Sequence, residues 1–125
     1  MELDIFVLDA FTDQQFKGNS AAVIPLKHWL AAETMLQIAQ ENNLSETAFV
    51  KHCRDHIYEI RWFSPMTEID FCGHATLAAS AVLFEYFDCR GEIRFETQEV
   101  GQLNVAQLSD GRIDMSFPNQ APHPI

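Results

Sequence analysis

Ala75-Thr76-Leu77-Ala78-Ala79-Ser80-Ala81-Val82-Leu83-Phe84-Glu85-Tyr86-Phe87 is the stretch on which the fold turns. Only Thr76, Ser80 and Glu85 are clearly polar in it. A helix of this composition is apolar on nearly every face, so it has to be surrounded by protein. Its alanines are small enough for strands to pack close to its axis. Leu77, Ala78, Ala81 and Val82 are expected among its least exposed residues. The apolar run 75–84 is too short to span a bilayer, and no membrane partner is expected.

Upstream, residues 3–11 and 21–26 are rich in Ile, Val, Leu and Phe and read as strands. The polar segment between them ends in Gly18-Asn19, a turn signal. Residues 31–42 read as a helix, with Met35, Ile38, Ala39 and Asn42 at helical spacing and Glu33 in the first turn. Residues 47–51 and 57–63 read as strands, joined by a polar turn over 52–56 and closed by Ser64-Pro65. Downstream of the apolar helix, 92–97, 101–108 and 112–117 read as a meander of strands, with Ser109-Asp110-Gly111 as a hairpin turn. Many strands and one wholly apolar helix predict an α+β fold: a curved, mostly antiparallel, barrel-like sheet wrapped around the helix. Periodicity alone leaves a two-layer sandwich open. Residues 1–117 form the predicted lobe, and the proline-containing 118–125 reads as a linker or the start of a crossing segment.

The totals narrow the function classes. A chain of 125 residues can bury a core without metals or disulfides. A formal net charge of −10 repels phosphate backbones, which argues against a nucleic-acid partner. The 3 cysteines, Cys53, Cys72 and Cys89, are odd in number and widely spaced, which points to a reducing, cytoplasmic setting. The first residues carry no basic signal-peptide pattern.

Several residues are able to carry chemistry. Glu46 lies between a helix end and an apolar strand; burial disfavours the charge of a carboxylate there, which lets it take and return a proton near neutral pH. By composition and spacing alone, a loop glutamate beside Ser45 is more often an exposed capping group. Gly73-His74 opens the apolar helix, where unpaired backbone N–H groups attract a carboxylate and His74 is a donor or proton partner. The bland alternative is a helix start with a partly exposed histidine. Cys72 precedes that glycine, and a thiol at a helix N-terminus can be an alternative base, although a small buried hydrophobe is the more common reading. Asn19 can offer an amide to a ligand or simply form a turn. His52, Cys53 and His56 lack a second ligand pair at finger spacing, so no metal site is predicted.

These pieces fall into one pattern. Phe16-Lys17-Gly18-Asn19-Ser20-Ala21-Ala22-Val23 is similar to the early turn of the PhzF-like (phenazine-biosynthesis-like) isomerase family. The run from Ile38 through Leu44-Ser45-Glu46-Thr47-Ala48-Phe49-Val50 resembles its helix-to-strand signature. Ile60-Arg61-Trp62-Phe63-Ser64-Pro65 then leads, as in the family, to Cys72-Gly73-His74-Ala75-Thr76-Leu77-Ala78-Ala79. The blocks keep the family's order across most of the chain.

The resemblance implies a lobe like those of diaminopimelate epimerase, in which a sheet wraps a central helix and the active site lies between two similar lobes. It implies proton transfer without metal or coenzyme on a small carboxylate-bearing substrate. In phenazine-forming members a glutamate moves a proton within a dihydro-hydroxyanthranilate. Glu46 matches that glutamate as the catalytic acid/base, and Asn19, Gly73 and His74 match substrate-binding positions. Related epimerases of this fold use a Cys just before a Gly, paired with a Cys of the other lobe; here His74 stands where they have Asn, which favours the glutamate. Family members carry a second lobe, so the expected partner is either a second copy in a homodimer or a separate second lobe. A lobe that binds a partner or a small acid without catalysis is the reading from another class.

Overall fold

The computed structural model describes residues 3–8, 21–42, 46–87, 91–109 and 113–116. Among these, the chain runs β1 (Phe6–Leu8), β2 (Ala21–Leu26), α1 (Ala32–Asn42), β3 (Glu46–Arg54), β4 (Ile57–Phe63), β5 (Glu68–Ile69), α2 (Gly73–Tyr86), β6 (Glu92–Glu96), β7 (Gln102–Gln107) and β8 (Ile113–Ser116). The strands form one curled sheet in the order β1-β2-β3-β4-β6-β7-β8, with the short β5 paired to the end of β4. Most neighbours are antiparallel. Two pairs, β2 with β3 and β4 with β6, are parallel. Parallel neighbours need a crossover, and α1 and α2 are those crossovers.

Side-chain alternation in the strands sorts the core onto two faces. Ala21 and Val23 of β2, Ala48 and Val50 of β3, and Tyr58, Ile60 and Trp62 of β4 pack with α2 on the inner face. The intervening Ile24, Leu26, Phe49 and Phe63 pack on the outer face with Met35 and Ala39 of α1. Phe49 and Phe63 meet edge to face there, with ring centroids 5.4 Å apart. The central strands are thus covered on both sides, which explains why both residue sets of β4 contain apolar members.

The apolar helix is bedded in the sheet as its composition requires: Ala75, Thr76, Ala78, Ala79, Ser80, Val82 and Leu83 are buried. Its buried hydroxyls are satisfied within the helix, Thr76 Oγ1 donating to the Cys72 carbonyl at 2.8 Å and Ser80 Oγ to the Thr76 carbonyl at 2.8 Å. One expectation needs correction. Leu77 and Ala81 are half-buried, not among the least exposed; with Phe84 they form a stripe at helical spacing that the described strands leave partly open. The helix starts at Gly73, as the Gly73-His74 opening implies, and is capped at Phe87, whose N–H bonds the Leu83 carbonyl at 3.2 Å.

Other boundaries shift modestly. β3 runs on to Arg54, so the turn shrinks to Asp55-His56, with Asp55 at a positive φ of 48° and an irregularity in register between His52 and Arg54. β5 was not foreseen, because two residues carry no periodicity. It is held to β4 by a two-toothed Arg61–Glu68 pair, with Nε and Nη2 each 2.8 Å from a carboxylate oxygen. The turns expected at Gly18-Asn19 and at Asp110-Gly111, and the segment 118–125, lie outside the described residues.

Candidate active site

Glu46 opens β3, and it shares the alternation of Ala48 and Val50, so its side chain leaves the sheet on the inner face, toward α2. His74 is in the first turn of that helix. The two meet: Glu46 Oε1 lies 2.9 Å from His74 Nε2, with 21% of the glutamate side chain and 34% of the histidine side chain accessible. The two contacting atoms are themselves shielded from solvent and are not aligned as a hydrogen bond; neither has another hydrogen-bond partner among the described residues.

Cys72 is the N-cap of α2 and makes no side-chain capping bond. Its sulfur lies 3.6 Å from the other ring nitrogen, His74 Nδ1. Burial pushes the Cys72 thiol up, the nearby Glu46 carboxylate adds to this, and the Ala75 and His74 amides pull the other way without prevailing. The helix N-terminus therefore does not generate a thiolate here, which weakens the thiol as a base. Thiol, imidazole and carboxylate donors all lie within 4.8 Å of one another, a set able to ligate a divalent ion. The sulfur faces Nδ1 and the carboxylate faces Nε2, so one ion would reach only one of the two ring nitrogens along its lone pair.

The helix start is held from below. Trp62, on the inner face of β4, donates its indole N–H to Thr76 Oγ1 at 2.9 Å, and the Thr76 N–H bonds the Cys72 carbonyl at 3.0 Å. Neither Trp62 nor Thr76 was singled out from the sequence. The available signal was Thr76 itself, a hydroxyl in an apolar helix four residues after its N-cap. Among the described residues, a Cβ placed on Gly73 would touch only the Phe71 ring, at 3.7 Å. Gly73 is thus not required by crowding from the described residues of this chain, and its bare backbone is left for an approaching group.

Glu46, Cys72, Gly73 and His74 are therefore brought together, whereas Asn19 lies outside the described residues. His52 and Cys53 are elsewhere, on the exposed end of β3, with His52 Nε2 at 2.8 Å from the Asp55 carbonyl oxygen. A groove beside Arg61, lined by Trp62, Glu68, Asp70 and Glu99 among others, is also separate from Glu46 and His74. No helix among the described residues is long and apolar enough to cross a membrane.

Known proteins share this arrangement of elements. Residues 8–124 match the family described as phenazine biosynthesis-like protein. An uncharacterized isomerase of Pseudomonas aeruginosa is 50% identical over 125 residues, covering 99% of this chain and 47% of its own length. A PhzF-family protein of Enterococcus faecalis superposes with a TM-score of 0.78 at 45% identity, over 87% of this chain and 42% of that one. A P. aeruginosa protein described as a predicted epimerase shares the fold at a TM-score of 0.72 and 20% identity, over 86% of this chain and 40% of that one. The chain spans about half the length of the curated relatives it matches. Its ordered motifs, its curled sheet around an apolar helix and these matches agree: the chain belongs to the phenazine biosynthesis-like (PhzF) family.

Proposed function

We propose that this chain supplies the first lobe of a cofactor-independent isomerase, in which Glu46 moves a proton on a small carboxylate-bearing substrate. The observation that carries the reading is the contact of Glu46 Oε1 with His74 Nε2 at 2.9 Å, in the first turn of a helix where, among the described residues, only the Phe71 ring lies close to Gly73. The positive end of the helix in that first turn suits the substrate carboxylate. A carboxylate fixed there would present a neighbouring carbon to Glu46, which removes a proton from it and returns one to another carbon. Nothing is oxidised or reduced in such a shift, so the chemistry calls for no redox partner. Asn19 is proposed as a further substrate contact.

The isomerase names of relatives support the reaction class. The free thiols of Cys53 and Cys72 support a reducing, cytoplasmic setting. A second lobe would close the site, contributed by a second copy of this chain or by a separate chain. The thiol-based epimerase reading has the weaker support, because the Cys72 proton is held more tightly than usual. The test is solvent exchange: small cyclic and amino carboxylates incubated in deuterium oxide with this chain joined to a second lobe should gain deuterium at carbon. A two-lobed protein that binds these acids but exchanges no carbon-bound hydrogen would replace the isomerase with a binding lobe.

A further inference from the structure

We propose that Cys72 is a positioning residue: its S–H donates to His74 Nδ1 and thereby selects the imidazole tautomer that carries its proton on Nε2, facing Glu46. The inference rests on the reading of Glu46 as the acid/base, and it assigns the thiol a task distinct from that of a base or nucleophile.

The argument starts from the ring. A neutral imidazole has one N–H donor and one lone-pair acceptor, and whichever nitrogen is engaged by a donor leaves the proton on the other. Here the two nitrogens have different neighbours, Cys72 Sγ at 3.6 Å from Nδ1 and Glu46 Oε1 at 2.9 Å from Nε2. A sulfur at 3.6 Å is within reach of a hydrogen bond, given its larger radius. The thiol keeps its hydrogen because burial opposes the thiolate, and an amide at the helix start could engage only its lone pairs, not that hydrogen. It is therefore a donor aimed at Nδ1. With Nδ1 as acceptor, Nε2 carries the hydrogen and meets the carboxylate oxygen as a donor.

The other tautomer would set the Nε2 lone pair against a carboxylate oxygen at the same distance, with no solvent reaching either atom. Two shielded acceptors in contact repel. A small turn of the ring or of the carboxylate brings the N–H onto Oε1, since the pair is at bonding distance but off its axis. Cys72 is itself held, because its carbonyl accepts from Thr76 Oγ1 at 2.8 Å and Thr76 is tied to Trp62. The order of control runs from β4 through Thr76 to Cys72, then through the ring to Glu46.

The experiment is long-range hydrogen–nitrogen NMR of the 125-residue chain labelled with nitrogen-15 at histidine. Wild type should show His74 with a protonated Nε2 and an unprotonated Nδ1. Cys72→Ala should relax this to a mixture of tautomers, and Cys72→Ser, which keeps a donor, should restore part of the preference. A wild-type His74 carrying its proton on Nδ1 overturns the proposal, as does a folded Cys72→Ala chain with an unchanged tautomer. The wild-type measurement needs no substitution, so a variant that fails to fold does not shield the idea. The tautomer is read without turnover, so its outcome is separate from whether Glu46 proves catalytic.

Discussion

Trp62 and Thr76 lie 14 positions apart in sequence, yet the indole N–H donates to the threonine hydroxyl at 2.9 Å in the buried core. That hydroxyl passes its own hydrogen to the Cys72 carbonyl at 2.8 Å. One oxygen thus fastens the start of α2 to β4, and β4 lies beside the strand that carries Glu46.

Thr76→Val keeps the shape but removes both bonds, leaving the indole N–H buried without an acceptor. The expected cost is roughly 1–3 kcal/mol of folding stability. Thr76→Ser keeps the hydroxyl and should lose less. Urea unfolding of the two variants measures this, and equal midpoints for Thr76→Val and wild type would show that the brace is idle.

Much of this was legible from the residues. The apolar composition of α2 announced that it would be enclosed, and Met35, Ile38, Ala39 and Asn42 announced the buried side of α1, where Met35 and Ala39 are fully covered. The face of Glu46 was not legible, because the strand was read from residue 47 and the structure begins β3 at Glu46. Other features were not legible. The half-buried stripe of Leu77 and Ala81 depends on where the curled sheet stops, which composition does not encode. β5 rests on the Arg61–Glu68 pair, a contact between residues whose spacing has no repeat. The Glu46–His74–Cys72 contact arises only when a strand start and a helix start are folded together; the family resemblance pointed to these residues, and periodicity did not.

Burial lifts the Cys72 thiol above its ordinary value of 9.0, which has a sign that can be checked. The folded chain keeps the proton at pH values where the unfolded chain has released it. In that window the native state binds more protons, so stability falls as pH rises; below the unfolded value the contribution is fully present. Cys72→Ala should flatten that part of the alkaline decline. At neutral pH iodoacetamide should label exposed Cys53 well before Cys72, as read by peptide mass mapping. Equal labelling rates would return the thiol to the list of bases.

By itself the chain should associate and show little or no isomerase activity. Tyr86 and Phe87 are exposed at the end of α2 and pack against Phe6, tilted and edge-on, with centroids 5.0 and 6.2 Å away, while Leu77, Ala81 and Phe84 are only half covered. Apolar surface of this kind seeks a partner, and a twofold pair of lobes is the simplest. Sedimentation at several concentrations tests the association. A strictly monomeric chain with enzyme-like turnover would contradict both parts.

The role of Glu46 is tested most directly by comparing carbon–deuterium exchange in a two-lobed protein containing this chain with that of its Glu46→Gln variant. Glutamine fills the same space beside His74 but cannot cycle a proton. The predicted result is a folded variant whose exchange rate falls on the order of a hundred- to ten-thousand-fold, with Cys72→Ser costing far less. Near-normal exchange by a correctly folded Glu46→Gln protein would contradict the account.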